Sequence, residues 1–551
     1  MKKLLNNWGL TLTFGIAVFL FWRLRYPFAL TYQEQLQLFL FDDDYFLSRI
    51  AEPGGFARYI AEFLVQFYNS VTIGAAIIAV LYMLAQRLTW RLMHSESHYA
   101  LSFIPVAMLW YTMGDESVML TYLVALIMAM AVALMRVKWQ VALLLLPVMY
   151  WLIGPMVLVV AMLMVPWSLA VAGVIYSLAI IFFSAHYLPF PTMRVVLGIS
   201  YYRFPITLPY LLMVIPVAIW LLAKFARLLP KARQLVGIAE VAVMVVAIGG
   251  LVDLGFGKKK YELMEYDYLV RIRDWHGVIA KAEKQTPDLP MSVSATNLAL
   301  AMTNQLGERA FDFYQRGSEG LLPKFERNFA TSQLTGEIYF HLGLVNTAQQ
   351  FAFEAMEAIP NYNKSARVVK RLAETNMING EYLVAEKYLR MLEKTIFYRP
   401  WAKRTLAMLG DENAINSHPL YGTLRQYRLQ ENFLFSDSEL DKICGQLFMH
   451  NQQNQMATQY LLMMPLLDKD IDRFMDYVKV VQNRIHYNPR SCQEAIAFAF
   501  MQHRQQPPQG VVSQLVLQCM NDFARVYSSG NNSAELNRFK NTVWYYLTVG
   551  K

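Results

Sequence analysis

The chain has 551 residues, of which 56% are hydrophobic and only 17% are charged, an unusual composition for a soluble protein of this size. Residues 1–257 carry 16 Lys/Arg and 11 Asp/Glu, whereas residues 258–551 carry 34 and 30. These numbers exclude a single soluble domain, a disordered chain and a small disulfide scaffold. They predict an all-α protein with a multi-pass transmembrane domain over 1–257 and a soluble helical domain over 258–551.

Nine apolar stretches approach the roughly 20 residues that cross about 30 Å of hydrocarbon. The first has no small-residue cleavage site after it, so we expect an uncleaved helix and not a signal peptide. With a margin of one helix either way, the predicted stretches are Trp8–Arg25, Glu62–Leu84, Tyr99–Met113, Ser117–Met135, Trp139–Ile153, Pro155–Val165, Trp167–Ala185, Leu208–Ala223 and Leu235–Val252.

Basic residues collect in alternate loops, which predicts the orientation of these helices. The loops that we assign to the cytoplasm contain Lys2, Lys3, Arg87, Arg91, Arg136, Lys138, Lys224, Arg227, Lys231 and Arg233. An odd number of crossings from a cytoplasmic N-terminus then places residues 258–551 in the periplasm of a bacterial inner membrane, whereas an even number would place them in the cytoplasm. The net charge of +9 therefore reflects membrane topology, and we exclude a nucleic-acid surface.

The second part has helical periodicity and an internal repeat. Leu306-Gly307, Leu342-Gly343 and Asn379-Gly380 are 36 and 37 residues apart, each between helix-length segments. The small and aromatic positions around them resemble those of tetratricopeptide repeats over about 294–400: Gly336, Tyr339, Ala348, Ala355, Pro360, Gly380, Tyr382 and Ala385. The resemblance implies a solenoid whose concave surface binds an envelope protein; the alternative is a compact helical domain without a groove.

Three cysteines occur, and none has the CxxC spacing of a zinc or redox motif. Cys492 and Cys519 either form a disulfide in an exported domain or are buried helix thiols. The chain also contains no Walker motif, no GxGxxG after a strand, no HExxH and no GxSxG, which excludes the enzyme classes that these motifs mark.

The first external loop, residues 27–61, is aromatic and acidic. It contains Asp42, Asp43 and Asp44, and an amphipathic piece follows Pro53-Gly54-Gly55, so we expect this loop to contact the membrane lipid. Adjacent carboxylates repel one another, and their oxygens are suited to a divalent cation. The alternative is a solvated loop whose negative charge suits the outer face.

This order of helix, acidic external loop and further helices resembles the GT-C type of membrane glycosyltransferase. The resemblance implies a sugar donor on a polyprenyl phosphate, a catalytic base among Asp42, Asp43 and Asp44, and a metal on Asp42 and Asp44. It also implies substrate-binding residues in two other external loops, which are Asp115, Glu116, His186, Arg194, Tyr201 and Arg203. The parallel N–H donors of an arginine guanidinium match the spacing of phosphate oxygens.

Two further interpretations stay open. His186 has no second histidine spaced for metal binding, which favours an interfacial side chain, and Glu240 requires a partner if it lies within the membrane. The whole chain also resembles bacterial inner-membrane proteins that share a domain of unknown function, a resemblance that implies architecture without activity. The alternative to an enzyme is therefore a non-catalytic, membrane-anchored scaffold that recruits envelope proteins through its repeats.

Overall fold

The computed structural model describes residues 2–95, 97–135, 137–203, 210–230, 234–255, 257–360, 363–430, 439–529 and 533–550. The described residues form helices and turns, with two isolated β-bridges and no β-strand, so the predicted all-α class is confirmed. Arg136, Lys231 and Arg233, used above to predict orientation, lie outside the described residues.

The chain divides into two compact units. The first unit comprises Met1–Met264, Ile359–Ala366 and Met391–Pro400, and the second comprises Glu265–Ala358, Arg367–Arg390 and Trp401–Lys551. Two short segments of the C-terminal half therefore pack with the N-terminal half. The domain boundary after residue 257 stays a prediction.

The apolar N-terminal half folds into short and long helices. In chain order they are α1 (Lys2–Leu20), α2 (Pro27–Glu34), α3 (Asp43–Ile50), α4 (Gly55–Val65), α5 (Val71–Met93), α6 (Ile104–Thr112), α7 (Leu120–Ala133), α8 (Trp139–Ile153), α9 (Val157–Met164), α10 (Trp167–Ala185), α11 (Thr192–Leu197), α12 (Leu211–Phe225), α13 (Gln234–Gly255) and α14 (Lys258–Arg271).

Six of the described segments are long and apolar enough to cross a membrane, as expected of an integral membrane protein. They are Asn7–Arg25, Val71–Met93, Trp139–Met164, Ser168–Ala185, Leu211–Leu228 and Gly237–Gly255. Two further apolar helices, Tyr99–Met113 and Leu120–Ala133, are shorter.

Three predicted stretches differ from these spans. The stretch Glu62–Leu84 is divided, because Ser70 is extended (φ −102°, ψ 110°) and separates the end of α4 from α5. The two stretches predicted on either side of Gly154 form one candidate span, which is interrupted where Gly154 has a φ of 64°. Glu62 therefore belongs to a separate short helix and not to a membrane-length one.

Loops that are distant in sequence meet at one end of the first unit. Met119 N donates to Tyr201 O at 2.9 Å, and Tyr201 Oη donates to Ile153 O. Lys260 Nζ, at the start of α14, lies 2.5 Å from Glu116 Oε2. We call this end, where α6 and α8 finish and α7 begins, the loop end.

A different set of contacts marks the opposite end of the same helices. Thr11 Oγ1 donates to Gln86 Oε1 at 2.9 Å, and His98 Nε2 lies 2.9 Å from Pro230 O. Gln86 is fifteen residues along α5 from its start, which at 1.5 Å per residue is about 22 Å. Thr11 and Lys260 thus lie towards opposite ends of the bundle.

The second unit consists of amphipathic helices and of helices that are buried on nearly all sides. After α14 they are α15 (Trp275–Lys284), α16 (Pro290–Met302), α17 (Leu306–Arg309), α18 (Phe329–Leu342), α19 (Val345–Glu357), α20 (Ala366–Asn379), α21 (Tyr382–Glu393), α22 (Arg399–Ala407), α23 (Glu412–Ser417), α24 (Tyr421–Tyr427), α25 (Leu440–His450), α26 (Gln455–Leu467), α27 (Ile471–Gln482), α28 (Arg490–Gln502), α29 (Gln514–Ser528), α30 (Ser533–Leu536) and α31 (Val543–Thr548).

Glycines end two of the helices that belong to the predicted repeat. Gly343 after α18 and Gly380 after α20 have φ of 93° and 84°, the left-handed conformation that commonly closes a helix and that glycine adopts without strain. Gly307 lies instead within the four-residue α17, so the first of the three predicted turns does not open a full second helix. Cys444, Cys492 and Cys519 are free thiols, the first two buried.

Candidate functional site

A buried ionic cluster on α3 and α4 joins the predicted external loop to Glu62, the first residue after that loop. Glu62 accepts a hydrogen bond from Arg58 Nε at 2.9 Å, from Arg49 Nε at 2.7 Å and from Tyr45 Oη at 2.5 Å. Arg58 and Glu62 are only 2% and 1% exposed. Burial by itself raises the pKa of Glu62, but Arg58 and Arg49 outweigh it and hold the pKa below its usual value. The carboxylate is therefore ionised and fully paired.

The local sequence explains why this cluster forms. Arg58 and Glu62 are four residues apart on α4 and so share one face of the helix. Gly54 begins α4 with a φ of 78°, and a Cβ at Gly55 would collide with Arg49 O. The two glycines thus allow α3 to turn back closely against α4.

The cluster also holds a segment from the C-terminal half that belongs to the first unit. Arg58 Nη1 donates to Glu52 Oε2 and Arg58 Nη2 to Asn363 Oδ1, each at 2.9 Å. Gln37 Nε2 donates to the backbone oxygen of Glu62 at 3.0 Å. Because these charges are satisfied by one another, we interpret the cluster as a clamp that orders the acidic loop, not as a ligand site.

Arg203 has a different environment at the loop end. It is 1% exposed, its Nη1 donates to Glu116 O at 2.6 Å, and its Nε has no hydrogen-bond partner among the described residues. None of the described carboxylates lies within ion-pair distance of it. Burial lowers the pKa of Arg203 to about 10, although Glu116 and Glu62 act in the opposite direction. The side chain is thus a buried cation at neutral pH with an unused donor.

Two more polar atoms near Arg203 are buried without a partner among the described residues. They are Tyr68 Oη and Ser117 Oγ, on residues that are 0% and 3% exposed. Burial raises the pKa of Tyr68, and the charge on Arg203 opposes this rise, so the hydroxyl keeps its proton as a donor. Arg203 N also donates to Ser117 O at 2.6 Å. Most buried polar groups find a partner, so this concentration of unused donors is uncommon.

The three predicted catalytic carboxylates lie at the start of α3. Asp42 Oδ2 is 2.9 Å from Lys394 Nζ, and Phe41 N donates to Lys394 O at 2.8 Å. Asp43 and Asp44 are exposed, and neither makes an ion pair with a described residue. Among the described residues there is no group of three or more His, Cys, Asp or Glu that could hold a metal; the metal role of Asp42 and Asp44 stays a prediction.

Four of the predicted substrate-binding residues meet at the loop end. Asp115 and Glu116 lie 3.7 and 2.5 Å from Lys260 Nζ. Glu116 also accepts from Arg203 through its backbone, while Tyr201 Oη contacts Ile153 O. A cavity of about 60 Å³ beside Asp115 and Lys260 is too small for a sugar.

The other two predicted residues lie apart from this group. Arg194 is placed over the ring of Tyr202, 5.8 Å from its centroid, and burial lowers its pKa. His186 is exposed at the end of α10, with its ring against Tyr187. The external loop predicted to contain these residues, 185–207, includes α11 (Thr192–Leu197), and its residues 204–207 lie outside the described residues.

Sequence reasoning missed Glu62, Tyr68 and Ser117. Glu62 was placed in a membrane stretch, although its spacing from Arg58 was a signal for a helical ion pair. Tyr68 and Ser117 belong to no motif, and only packing brings them to the loop end.

No curated protein and no solved structure matches the chain. The model of the family described as "Family of unknown function (DUF6057)" matches residues 3–550, nearly the whole chain. The match spans the membrane-length helices, the loop end and the second unit alike. The chain therefore belongs to the Family of unknown function (DUF6057).

Proposed function

We propose that this integral membrane protein is an envelope enzyme of GT-C-like type that transfers a sugar from a polyprenyl-phosphate donor. The observation that carries the proposal is Arg203, a buried guanidinium with an unused Nε, whose charge acts on the buried Tyr68 hydroxyl and whose backbone N donates to Ser117 O. A cation without an ion-pair partner is costly to bury. A phosphate oxygen would accept from Arg203 in a charge-assisted hydrogen bond and offset that cost.

The proposed reaction uses a carboxylate at the start of α3. The base takes the proton of an acceptor hydroxyl, whose oxygen bonds to the anomeric carbon while the bond from that carbon to the phosphate oxygen breaks. The electron pair leaves with the polyprenyl phosphate, which Arg203 stabilises. Asp43 and Asp44 suit the base because they are exposed, whereas Asp42 pairs with Lys394. A divalent cation on Asp42 and Asp44 is the alternative role for these residues.

We place the loop end on the periplasmic side of a bacterial inner membrane and the N-terminus in the cytoplasm. Support comes from the position of Thr11 and Lys260 towards opposite ends of the bundle and from the basic loops assigned to the inner face. The contact between Phe41 N and Lys394 O puts a C-terminal segment on the same side as the acidic loop, which supports a periplasmic C-terminal domain.

Envelope glycans test this function. We expect a deletion strain and strains with Arg203→Gln, Asp43→Ala or Asp44→Ala to lose a lipid-linked product and accumulate its donor. Asp476→Ala is the matched control, because Asp476 is exposed and its one ion pair with a described residue is that with the neighbouring Lys479. Mass spectrometry of the lipid and glycan fractions provides the measurement, and unchanged fractions in all three variants, with normal protein levels, would overturn the proposal.

A second candidate is a membrane-anchored scaffold that recruits an envelope protein through the second unit. It is supported by the antiparallel pair of α18 and α19 and by the glycine-closed ends at Gly343 and Gly380. Crosslinking of the full chain in intact cells should then capture one abundant envelope protein, and the Arg203→Gln strain should keep the wild-type phenotype. Loss of function in that strain, without a captured partner, favours the enzyme.

A further inference from the structure

A cleft of about 790 Å³ lies within the second unit, where α16, α18, α24 and α27 end and α26 begins. Its volume is in the range of small-ligand sites. The loops around it are locally ordered. Asn304 follows α16 with a φ of 56°, in the left-handed conformation that ends a helix. Asn454 Oδ1 accepts from Ala457 N at 3.1 Å and so caps α26.

The lining of this cleft carries no formal charge. None of its fourteen residues is Asp, Glu, Lys or Arg, although residues 258–551 contain 34 Lys/Arg and 30 Asp/Glu among 294. Its one buried titratable group, His341, is neutral because burial lowers the pKa of the imidazole to about 3 against the pull of Glu337. Apart from the exposed His486, these residues therefore offer no counter-charge to a phosphate, a carboxylate terminus or a basic peptide.

The lining instead offers primary amides. Four side chains, those of Asn304, Gln452, Gln453 and Gln455, are exposed in the cleft and make no hydrogen bond to any described residue. We call them the amide set. Each amide both donates and accepts, which matches a hydroxyl group, since a hydroxyl does the same.

Aromatic and histidine rings complete the lining. Tyr427 and Tyr487 border the cleft, and Tyr427 Oη donates to Gln453 O at 3.0 Å, which fixes its ring. His341 Nε2 lies 3.7 Å from Glu337 Oε2 and is buried without a hydrogen-bond partner among the described residues. Rings beside amides suit a ligand with apolar C–H faces and a hydroxyl-rich edge.

We propose that this cleft binds a neutral saccharide chain, with its hydroxyl groups on the amide set and its ring faces against the two tyrosines. A sugar satisfies the unused amide donors and acceptors together and requires no counter-ion. The site lies in the second unit and uses none of the residues assigned above to sugar transfer. It is therefore a binding site that stands whether or not the chain is a transferase.

The test is direct binding to the purified full-length chain in a polyoxyethylene detergent, because maltoside detergents present a neutral saccharide themselves. Four tetrasaccharides serve as probes: those of glucose, N-acetylglucosamine, mannose and galactose. We expect at least one tetrasaccharide to bind saturably, as measured by saturation-transfer NMR at ligand concentrations up to about 10 mM. A dissociation constant of that size corresponds to a binding free energy of roughly 3 kcal/mol. Binding of none of the four would overturn the proposal.

Two variants locate the binding. The combined Gln452→Ala, Gln453→Ala and Gln455→Ala variant should weaken it at least roughly tenfold, about 1.4 kcal/mol, with an unchanged melting temperature because the three side chains are exposed. The matched control replaces two exposed amides elsewhere in the second unit, Gln505→Ala and Gln506→Ala, and should bind as the wild type does. Undiminished binding in the triple variant would overturn the site. Arg203→Gln should leave binding intact even where it abolishes transfer, which separates this proposal from the enzymatic one.

Discussion

His98 Nδ1 lies 2.8 Å from Glu240 Oε1, and His98 Nε2 lies 2.9 Å from Pro230 O. A carbonyl oxygen only accepts, so Nε2 must carry a hydrogen. The contact with Glu240 then holds a second proton, either on an imidazolium or on the carboxyl group. Because only 6% of the α13 span is buried, this pair is one of the few polar ties between α13 and the rest of the first unit.

This proton arrangement predicts different effects for two substitutions of Glu240. Glu240→Gln keeps a donor for neutral Nδ1 and should change stability little. Glu240→Ala leaves the buried imidazole without its partner and should cost about 1–3 kcal/mol. Thermal unfolding of the detergent-solubilised protein measures both. Asp253→Ala, an exposed carboxylate on the same helix, is the control, and equal losses for Gln and Ala would contradict the proton arrangement.

Removal of Glu62 should destabilise the first unit more than any exposed ion pair does. Glu62→Ala leaves Arg58, which is 2% exposed, without its carboxylate, and breaking one partner of a buried pair costs about 3–5 kcal/mol. Glu386→Ala removes one ion-pair partner of Arg390 on the exposed face of α21 and should cost about 0–1 kcal/mol. Chemical unfolding of the two variants compares them. A loss for Glu62→Ala as small as that for Glu386→Ala would show that the cluster does not hold the loop.

The helical class could be predicted from the sequence because apolar length and helical periodicity are local properties. Asp115, Glu116, Tyr201 and Arg203 were also found as candidates, since charged and aromatic residues in loops between apolar stretches are conspicuous. That these four residues lie close together was not predictable, because contacts such as the hydrogen bond from Met119 N to Tyr201 O depend on how α7, α8 and α11 pack.

The partners of isolated polar residues were harder to predict from the sequence than the residues themselves. Glu240 was recognised as a residue that requires a partner, yet His98 is 142 positions away in the chain. Glu62 was hidden in an apolar stretch, because hydropathy does not report that α4 ends at Val65 and that the backbone is extended at Ser70, before α5. Such contacts are decided by tertiary packing, and a single sequence contains no signal for them.

Acid should destabilise the second unit through His341 and Glu337. Burial lowers the pKa of His341 from 6.5 to about 3, so the unfolded chain binds the extra proton first and stability falls as the pH drops from about 6.5 towards 3. Burial raises the pKa of Glu337, but Arg371 and Arg367 outweigh it and lower the pKa from 4.5 to about 2. Its contribution is therefore lost only between about pH 4.5 and 2.

Substitution of His341 distinguishes the pH dependence that comes from His341 from the pH dependence that comes from Glu337. His341→Gln should flatten the fall in melting temperature between about pH 6.5 and 4.5, and it should reduce but not abolish the fall below pH 4.5, where Glu337 also titrates. His503→Gln, at an exposed histidine, should change neither. A wild-type slope between pH 6.5 and 4.5 in the His341→Gln protein would show that His341 is not the group that titrates.

Cysteine labelling tests the two ends of the first unit. Asp43 lies in the acidic loop, and Ile396 lies in the C-terminal segment whose Lys394 O accepts from Phe41 N in that loop. Lys138 lies at the opposite end, because it precedes α8 and the other end of α8 contacts Tyr201. In a background with Cys519→Ser, which removes the exposed thiol, an impermeant maleimide added to intact spheroplasts should label Asp43→Cys and Ile396→Cys but not Lys138→Cys. Lysed membranes should label all three, which controls for reactivity. If intact spheroplasts label Lys138→Cys and protect Asp43→Cys, the proposed orientation is reversed. If they label only one of Asp43→Cys and Ile396→Cys, these two residues do not lie on the same side of the membrane.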